Sequence, residues 1–513
     1  MQLKKRDVNV GKAVFEGDIK TGAEGSIIVP DVKPDILKVL QVEAETFLCE
    51  KQIDDGKLIL KGKVKVNVLY VPESGEDCVQ CINGCFEFCE TLKKTEFSAG
   101  MQLVACCDAE KVGYKIINSR KIGIDAQVVI NVQVLANQSC SFVSEIEEDC
   151  AEVKKSCVNI RSIGVCRDFS FRIDEVMELP SGKCGIKEIL KSNVMIFEKE
   201  YRALQGKLVI KGKANASVLY SDENDRCDHV DFELPFTEVF DADELSEGAE
   251  CDIMYQIGET DFSLTANHGD EGKSMALSAE ISVCVKSECV EEIPIVSDCY
   301  FTNQDCDISM EEIEAEEIAA RPMFSAVMKE LMQKEENAPD IMSVYTAVAK
   351  PYITATQMQN GRIAVSGKSV VYVLYTTENP QIPVCSINEE VPFSYMIDCE
   401  NISRGDEVLL NVECEHISYT ISSQNAVEVR CGLGITGKVI KKSSVRVITN
   451  IETRELAKKD SSIVIYFAKK GDSIWDIAKR YHVKCESILS CNGLDEGASV
   501  IQGEKLIIPV TNS

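Results

Sequence analysis

Long stretches of this chain alternate apolar and polar residues with a period of two. Val64, Val66, Val68 and Tyr70 fall on one face, with Lys63, Lys65 and Asn67 on the other. Ile122, Ile124, Ala126, Val128, Ile130, Val132 and Val134 repeat the pattern downstream. Val427, Val429, Cys431, Leu433, Ile435, Gly437 and Val439 give it again. A period of two marks a strand with one buried face. Strands this long, apolar on one side only, belong to antiparallel sheets packed face to face. The pattern predicts a mainly β protein built from sandwich-like units.

The units are copies of one another. Gly56–Tyr70, Gly206–Tyr220 and Gly361–Tyr375 align without a gap on G-[KR]-x4-G-K-x5-L-Y. Asp35, Gly185 and Asp340 stand at the matching upstream position. The first and third copies read Pro34-Asp35-Ile36 and Pro339-Asp340-Ile341; the second has lost Pro-Asp but keeps Ile186, Ile189 and Leu190, and Leu179-Pro180 where the first has Val29-Pro30. Each copy closes on an alternating strand ending at Val134, Val285 or Val439. Such periodicity signals tandem domains. The expected plan is three β-rich repeats at 8–150, 165–302 and 318–452, then a small α+β module at 463–510, each owning its core. Gly62, Gly212 and Gly367 interrupt a strand and suit a bulge there. The Pro-Asp-Ile segment reads as a short helix or turn. Repetition multiplies a binding or packing surface and suits multivalent assembly or a homo-oligomer.

The joints are read from charge. Glu145–Asp174 mixes charge clusters with three cysteines and reads as a linker. Ser309–Asn337 carries Glu311, Glu312, Glu314, Glu316 and Glu317, then apolar residues from Met323 at helical spacing, which predicts an acidic helix. Glu452–Ser462 is polar and reads as flexible.

The formal net charge is −29, from 55 basic and 84 acidic side chains. That argues against a nucleic-acid surface, which needs a basic stripe. The tail from Ser461 onward is neutral, so the acidity lies in the repeats, where it serves solubility or guides a basic partner. No apolar run is long enough for a membrane span, and no secretory h-region follows Met1, which predicts a cytoplasmic protein with reduced thiols. The 24 cysteines are therefore read mainly as small apolar residues. Cys78, Cys81, Cys85 and Cys89 cluster, but a single CxxC and four scattered histidines (His229, His268, His416, His482) do not make a metal site. No HExxH, GxSxG, Walker or Cys/His arrangement points to catalysis. No enzyme activity, cofactor or metal is expected.

The tail reads as strand, helix, helix, strand. Asp472 or Ser473 caps the first helix, whose stripe is Ile474, Ile477, Ala478 and Tyr481. Asn492-Gly493 ends the second helix with residues that tolerate a left-handed backbone, and Lys505–Pro509 returns. This tail resembles the LysM family, matching Y-x4-GD-x-[LIW]-x2-IA-x2-Y, then N-x-L and G-x2-L-x-IP. The resemblance implies a βααβ fold with an N-acetylglucosamine groove between two loops. It implicates Gly471, Asp472, Ser473 and Ile474 on one side, and Asn492, Gly493, Leu494 and Ile501 on the other. Gln502 stands where the family usually has proline, and Asp495-Glu496 lies in a loop of altered length. Trp475, the single tryptophan, is a candidate partner anchor or a local packing residue.

Tandem β repeats with one terminal LysM resemble the clostridial spore-envelope assembly proteins that carry repeated spore-coat-associated domains. The resemblance implies a non-catalytic scaffold in the mother-cell cytoplasm at the forespore surface. It would dock a spore-coat morphogenetic ATPase and other coat proteins. A peptidoglycan or cortex glycan is the alternative ligand.

Overall fold

The protein is described here from a computed structural model covering residues 2–73, 79–265, 272–359, 361–379, 382, 384–456, 463–495 and 501–510. The first repeat holds β1 (Gln2–Ile28), β2 (Ile36–Asp54), β3 (Lys57–Pro72), β4 (Gln80–Lys93), β5 (Gln102–Asn118) and β6 (Lys121–Glu147). They form two antiparallel three-stranded sheets, β1-β6-β5 and β2-β3-β4. The second repeat copies this with β7 (Ala151–Glu178), β8 (Ile186–Leu204), β9 (Lys207–Asp222), β10 (Cys227–Asp241), β11 (Cys251–Leu264) and β12 (Ser274–Phe301). In the third, the first strand is split into β13 (Gln304–Ala320) and β14 (Met323–Gln333). Pro322, which lacks an N–H, sits at the break. Then follow β15 (Ser343–Gln359), β16 (Arg362–Thr376), β17 (Val384–Asp398), β18 (Glu407–Ser423) and β19 (Ala426–Glu455).

The alternating residues do what their period requires. Val64, Val66, Val68 and Tyr70 from one sheet meet Ile122, Ile124, Ala126, Val128, Ile130, Val132 and Val134 from the other in one buried cluster. The second and third repeats have matching cores. The mainly β, sandwich-like class holds.

The joints differ from their sequence reading. The presumed linker 145–174 lies in β6, a turn and β7, and the presumed acidic helix is β13 and β14. The acidic run Glu311–Glu317, which looked like a solvated helix, lies along β13, which pairs with β19 from Gln304↔Glu455 to Ala320↔Val439. Partner strands, unseen in a local window, override helical spacing. Within the joint 452–462, β19 continues to Glu455, and residues 457–462 lie outside the described set. The Pro-Asp-Ile segment is neither helix nor turn: it is irregular chain between a turn at 31–33 or 336–338 and the start of the next strand.

Each repeat keeps its own sandwich core, and the three share further clusters besides. Their first and last strands run beyond the sandwich, past a register shift such as the one between Ala13 and Phe15. The three extended hairpins then pack together. Phe142, Ile295 and Val447 share one cluster, and Ile146, Cys299 and Ile451 share the next. At the opposite end Leu69, Leu219 and Leu374 meet in a third shared cluster. Equivalent residues from all three copies thus surround a common axis.

Polar contacts close the ring. Asn67 Nδ2 donates to the Leu190 carbonyl at 3.1 Å, Tyr345 Oη to the Cys227 carbonyl at 2.7 Å, and Ser386 Oγ to the Leu40 carbonyl at 3.4 Å. Buried Glu288 accepts from Arg161 of its own repeat at 2.9 Å and from Lys438 of the third repeat at 2.6 Å. Burial alone would raise its pKa, but Lys438 and Arg161 outweigh that and hold it at about 2.

The glycines of the repeat motif are packing devices. Gly62, Gly212 and Gly367 pair across the sheet with Phe88, Phe236 and Phe393. A Cβ on Gly62 would overlap the Phe88 ring and stand 2.6 Å from the Phe47 carbonyl oxygen. The bulge expected at these glycines is in the neighbouring strand instead, between Leu48 and Glu50 in the first copy. Gly56, Gly206 and Gly361 turn the preceding hairpin with φ of +78°, +71° and +78°, a region that favours glycine.

The tail folds as β20 (Ile463–Phe467), α1 (Ile474–Tyr481), α2 (Cys485–Asn492) and β21 (Lys505–Pro509), with β20 and β21 antiparallel. No helix among the described residues is long and apolar enough to cross a membrane.

Candidate functional site

Local rules position both lips of the candidate groove in the βααβ module. On the first lip, Gly471 is exposed with φ of +91°. Asp472 accepts from Tyr466 Oη at 2.6 Å and from the Lys469 N–H at 2.8 Å, which fixes the loop leaving β20. These bonds hold the Asp472 carboxyl below the usual carboxylate range. Ser473 is the N-cap of α1 in a reciprocal capping box with Asp476, which satisfies two otherwise unpaired N–H groups. Ile474 follows, half-buried.

The second lip is tied to the sheet by Asn492. Its Nδ2 donates to the Ile488 carbonyl at 2.7 Å and the Ile507 carbonyl at 2.8 Å, and its Oδ1 accepts the Ile507 N–H at 2.7 Å. Gly493 caps α2 with φ of +64°. Leu494 packs against the module core, and Ile501 is 72% exposed. Of the acidic pair in the second loop, Glu496 lies outside the described residues. Asp472, Ser473 and Asn492 therefore serve as local anchors that shape the lips.

The open face of the β20–β21 sheet is apolar. Ile463, Ile465 and Phe467 are 64%, 55% and 62% exposed, and Ile507 pairs beside Ile465.

Trp475 takes a different direction, toward the second repeat. Its indole Nε1 donates to Asp298 Oδ2 at 2.7 Å, and its ring meets Tyr300 edge-on at 5.0 Å between centroids. Lys479, one turn along α1, also bonds Asp298. Burial would raise the Asp298 pKa, but the Lys479 and Trp475 bonds win and lower it. Tyr300 Oη donates to the Val483 carbonyl at 2.8 Å, and His482 Nδ1 lies 2.9 Å from the Phe301 carbonyl oxygen. Tyr300 belongs to the same buried cluster as Ile477, Ala478, Val483, Ile488, Leu506 and Ile508. The expectation that the module owns its core is thus corrected: the second repeat completes it.

Sequence reasoning missed Asp298, Tyr300 and Phe301, although the repeat register contains a signal. The equivalent positions are Glu145, Glu147 and Glu148 in the first copy, and Asn450, Glu452 and Thr453 in the third. Only the second copy ends its long strand with aromatic residues.

No cluster of three or more metal-ligating side chains occurs among the described residues. Cys81, Cys85 and Cys89 lie four residues apart along β4, or about 13 Å per step at strand rise, too far to share an ion. Cys78 and His268 lie outside the described residues.

A family model described as SipL, SPOCS domain, matches residues 35–117, 185–265 and 340–422, and a LysM domain model matches 466–509. No curated protein and no solved structure matches. The SPOCS matches begin at Asp35, Gly185 and Asp340, where the repeat register begins, and end before the long return strands β6, β12 and β19. SPOCS and LysM are non-catalytic domain families. The chain has the SipL-like architecture: three tandem SPOCS domains followed by one LysM domain.

Proposed function

We propose that this chain is a non-catalytic morphogenetic scaffold of the spore envelope. Its LysM domain docks a coat morphogenetic ATPase, and its SPOCS repeats recruit other coat proteins or further copies of the chain. The setting is the mother-cell cytoplasm at the forespore surface. The domain boundaries 8–150, 165–302, 318–452 and 463–510 are kept as working limits for the four units. The sporulation setting rests on the SPOCS repeats. The observation that carries protein docking is the apolar open face of the LysM sheet, Ile463, Ile465 and Phe467, because an exposed apolar patch is characteristic of protein interfaces. The proposed docking surface comprises this open face together with Gly471, Asp472, Ser473, Ile474, Trp475, Asn492, Gly493, Leu494 and Ile501.

The second reading, binding of peptidoglycan or cortex glycan, is favoured by the anchored groove lips, with Gly471 and Ile501 open to solvent. Binding of the full chain to the ATPase and to N-acetylglucosamine oligomers, measured side by side, separates the two. Trp475→Ala and Ile501→Glu are expected to weaken ATPase binding roughly thirtyfold or more, about 2 kcal/mol for a buried anchor. Variants that keep ATPase binding and lose the oligomer would transfer the function to glycan.

A further inference from the structure

The residue best suited to anchor a partner is held by the chain itself. Trp475 and Lys479 lie on one face of α1 and converge on a single carboxylate, Asp298. Tyr300, two residues on and therefore on the same face of β12, packs its ring against the indole and bonds the Val483 carbonyl. Phe301 supplies a backbone oxygen to His482. This seat has a carboxylate, an aromatic platform and a carbonyl, each matched by a LysM residue.

The other two strand ends lack the aromatic platform, and the third also lacks the carboxylate at the Asp298 position. They carry Glu145-Ile146-Glu147-Glu148 and Asn450-Ile451-Glu452-Thr453, with no ring to receive an indole. Ile146 and Ile451 match Cys299 in the shared cluster, so the three ends occupy equivalent places. The LysM domain faces the one end with complementary chemistry.

We propose that Asp298, Tyr300 and Phe301 form an autoinhibitory seat that sequesters the Trp475 face of the LysM domain in the free chain. A protein partner that takes this face, as the proposed docking function requires, must displace the seat. It does so with a surface of the same chemistry, a carboxylate beside an aromatic ring. Partner affinity is then reduced by the fraction of chains whose seat is filled, because only the released state is competent. Weakening the seat raises apparent affinity without adding any contact to the partner.

The single tryptophan makes the seat directly observable in the full chain. Acrylamide quenching of Trp475 fluorescence is expected to rise at least twofold in Tyr300→Ala and Asp298→Ala, with emission moving to longer wavelength. Tyr300→Phe, which keeps the ring and loses only the hydroxyl's contacts with the Val483 carbonyl and Cys485 Sγ, should change less. Lys479→Ala tests the same seat from the LysM side. Circular dichroism must match wild type, and Asp298→Asn preserves shape should Tyr300→Ala misfold. Binding to the coat ATPase is expected to tighten about tenfold in the seat variants. Equal quenching in wild type and all seat variants overturns the seat. Increased quenching with unchanged or weaker ATPase binding overturns the competition. Increased quenching while Trp475→Ala leaves ATPase binding intact supports the seat and removes Trp475 from the proposed docking surface.

Discussion

Leu69 and Tyr70 are neighbours in the chain and stand in different cores. Tyr70 points into its own sandwich, where its hydroxyl donates to the Pro34 carbonyl at 3.0 Å. Leu69, on the opposite face of β3, meets Leu219 and Leu374 in the cluster shared by all three repeats. The Leu-Tyr pair ending the repeat motif therefore encodes both the domain and its assembly with the other two. In the second copy, which lacks Pro-Asp, Tyr220 bonds Asp228 at 3.2 Å instead.

Leu69→Ala is accordingly expected to cost about 2–5 kcal/mol, as for a large-to-small change in a packed core. Tyr70→Phe, losing one hydrogen bond, should cost about 1 kcal/mol. Because Leu69 belongs to the shared cluster, its loss should lower the stability of all three repeats together. Denaturant unfolding followed by tyrosine fluorescence and circular dichroism should show one displaced transition. A single early-melting repeat would refute the shared core.

The two motif glycines should respond differently. Gly62→Ala places a Cβ within the Phe88 ring and against the Phe47 carbonyl, and overpacking of this kind costs about 1–3 kcal/mol. Gly56→Ala meets no atom within 4 Å, so its cost comes from the left-handed backbone, about 1 kcal/mol. Adding Phe88→Leu should recover part of the Gly62→Ala loss and none of the Gly56→Ala loss, as read from chemical denaturation.

Acid should act through Glu288. Its folded pKa of about 2 lies below the ordinary glutamate value of 4.5, so its contribution is fully present above about pH 4.5 and disappears as pH falls toward 2. The linkage amounts to about 3 kcal/mol. Glu45 and Asp108 are shifted upward by burial, so their titration works in the opposite direction and raises stability as pH falls from neutral. A stability profile with a maximum on the acid side of neutrality is expected. Glu288→Gln should flatten its fall below that maximum; an unchanged acid limb would contradict the role of this cluster.

Proteolysis tests the joints. Residues 151–178 and 304–333 lie in paired strands, apart from the short breaks around Arg321 and Pro322, and should resist trypsin under native conditions. Early cleavage within Ala151–Ser162, mapped by mass spectrometry, would count against the long hairpins.

The sandwich was legible in the sequence because a one-sided strand writes its buried face as alternation. Val64 to Tyr70 and Ile122 to Val134 needed no neighbour to be recognised. The LysM helices were legible for a similar reason, since Ser473, Asp476 and Gly493 act on backbone within a few residues. What stayed hidden depended on distant partners. Glu311 to Glu317 resembles a helix until β19 is laid beside it, and Leu69 looks like another apolar residue until three copies are brought together. Trp475 left two roles open because its acceptor, Asp298, is far away in the chain.

Joining three repeats in one polypeptide has a consequence for symmetry. A ring made from three identical chains would offer three identical strand ends and so three equivalent places for a terminal module. Here the ends have diverged, and Tyr300 appears once. The ring acquires a unique direction around its axis, marked by the LysM domain. In any lattice built from such units, that mark would let each unit enter in one rotational setting, with one LysM domain for every three repeats.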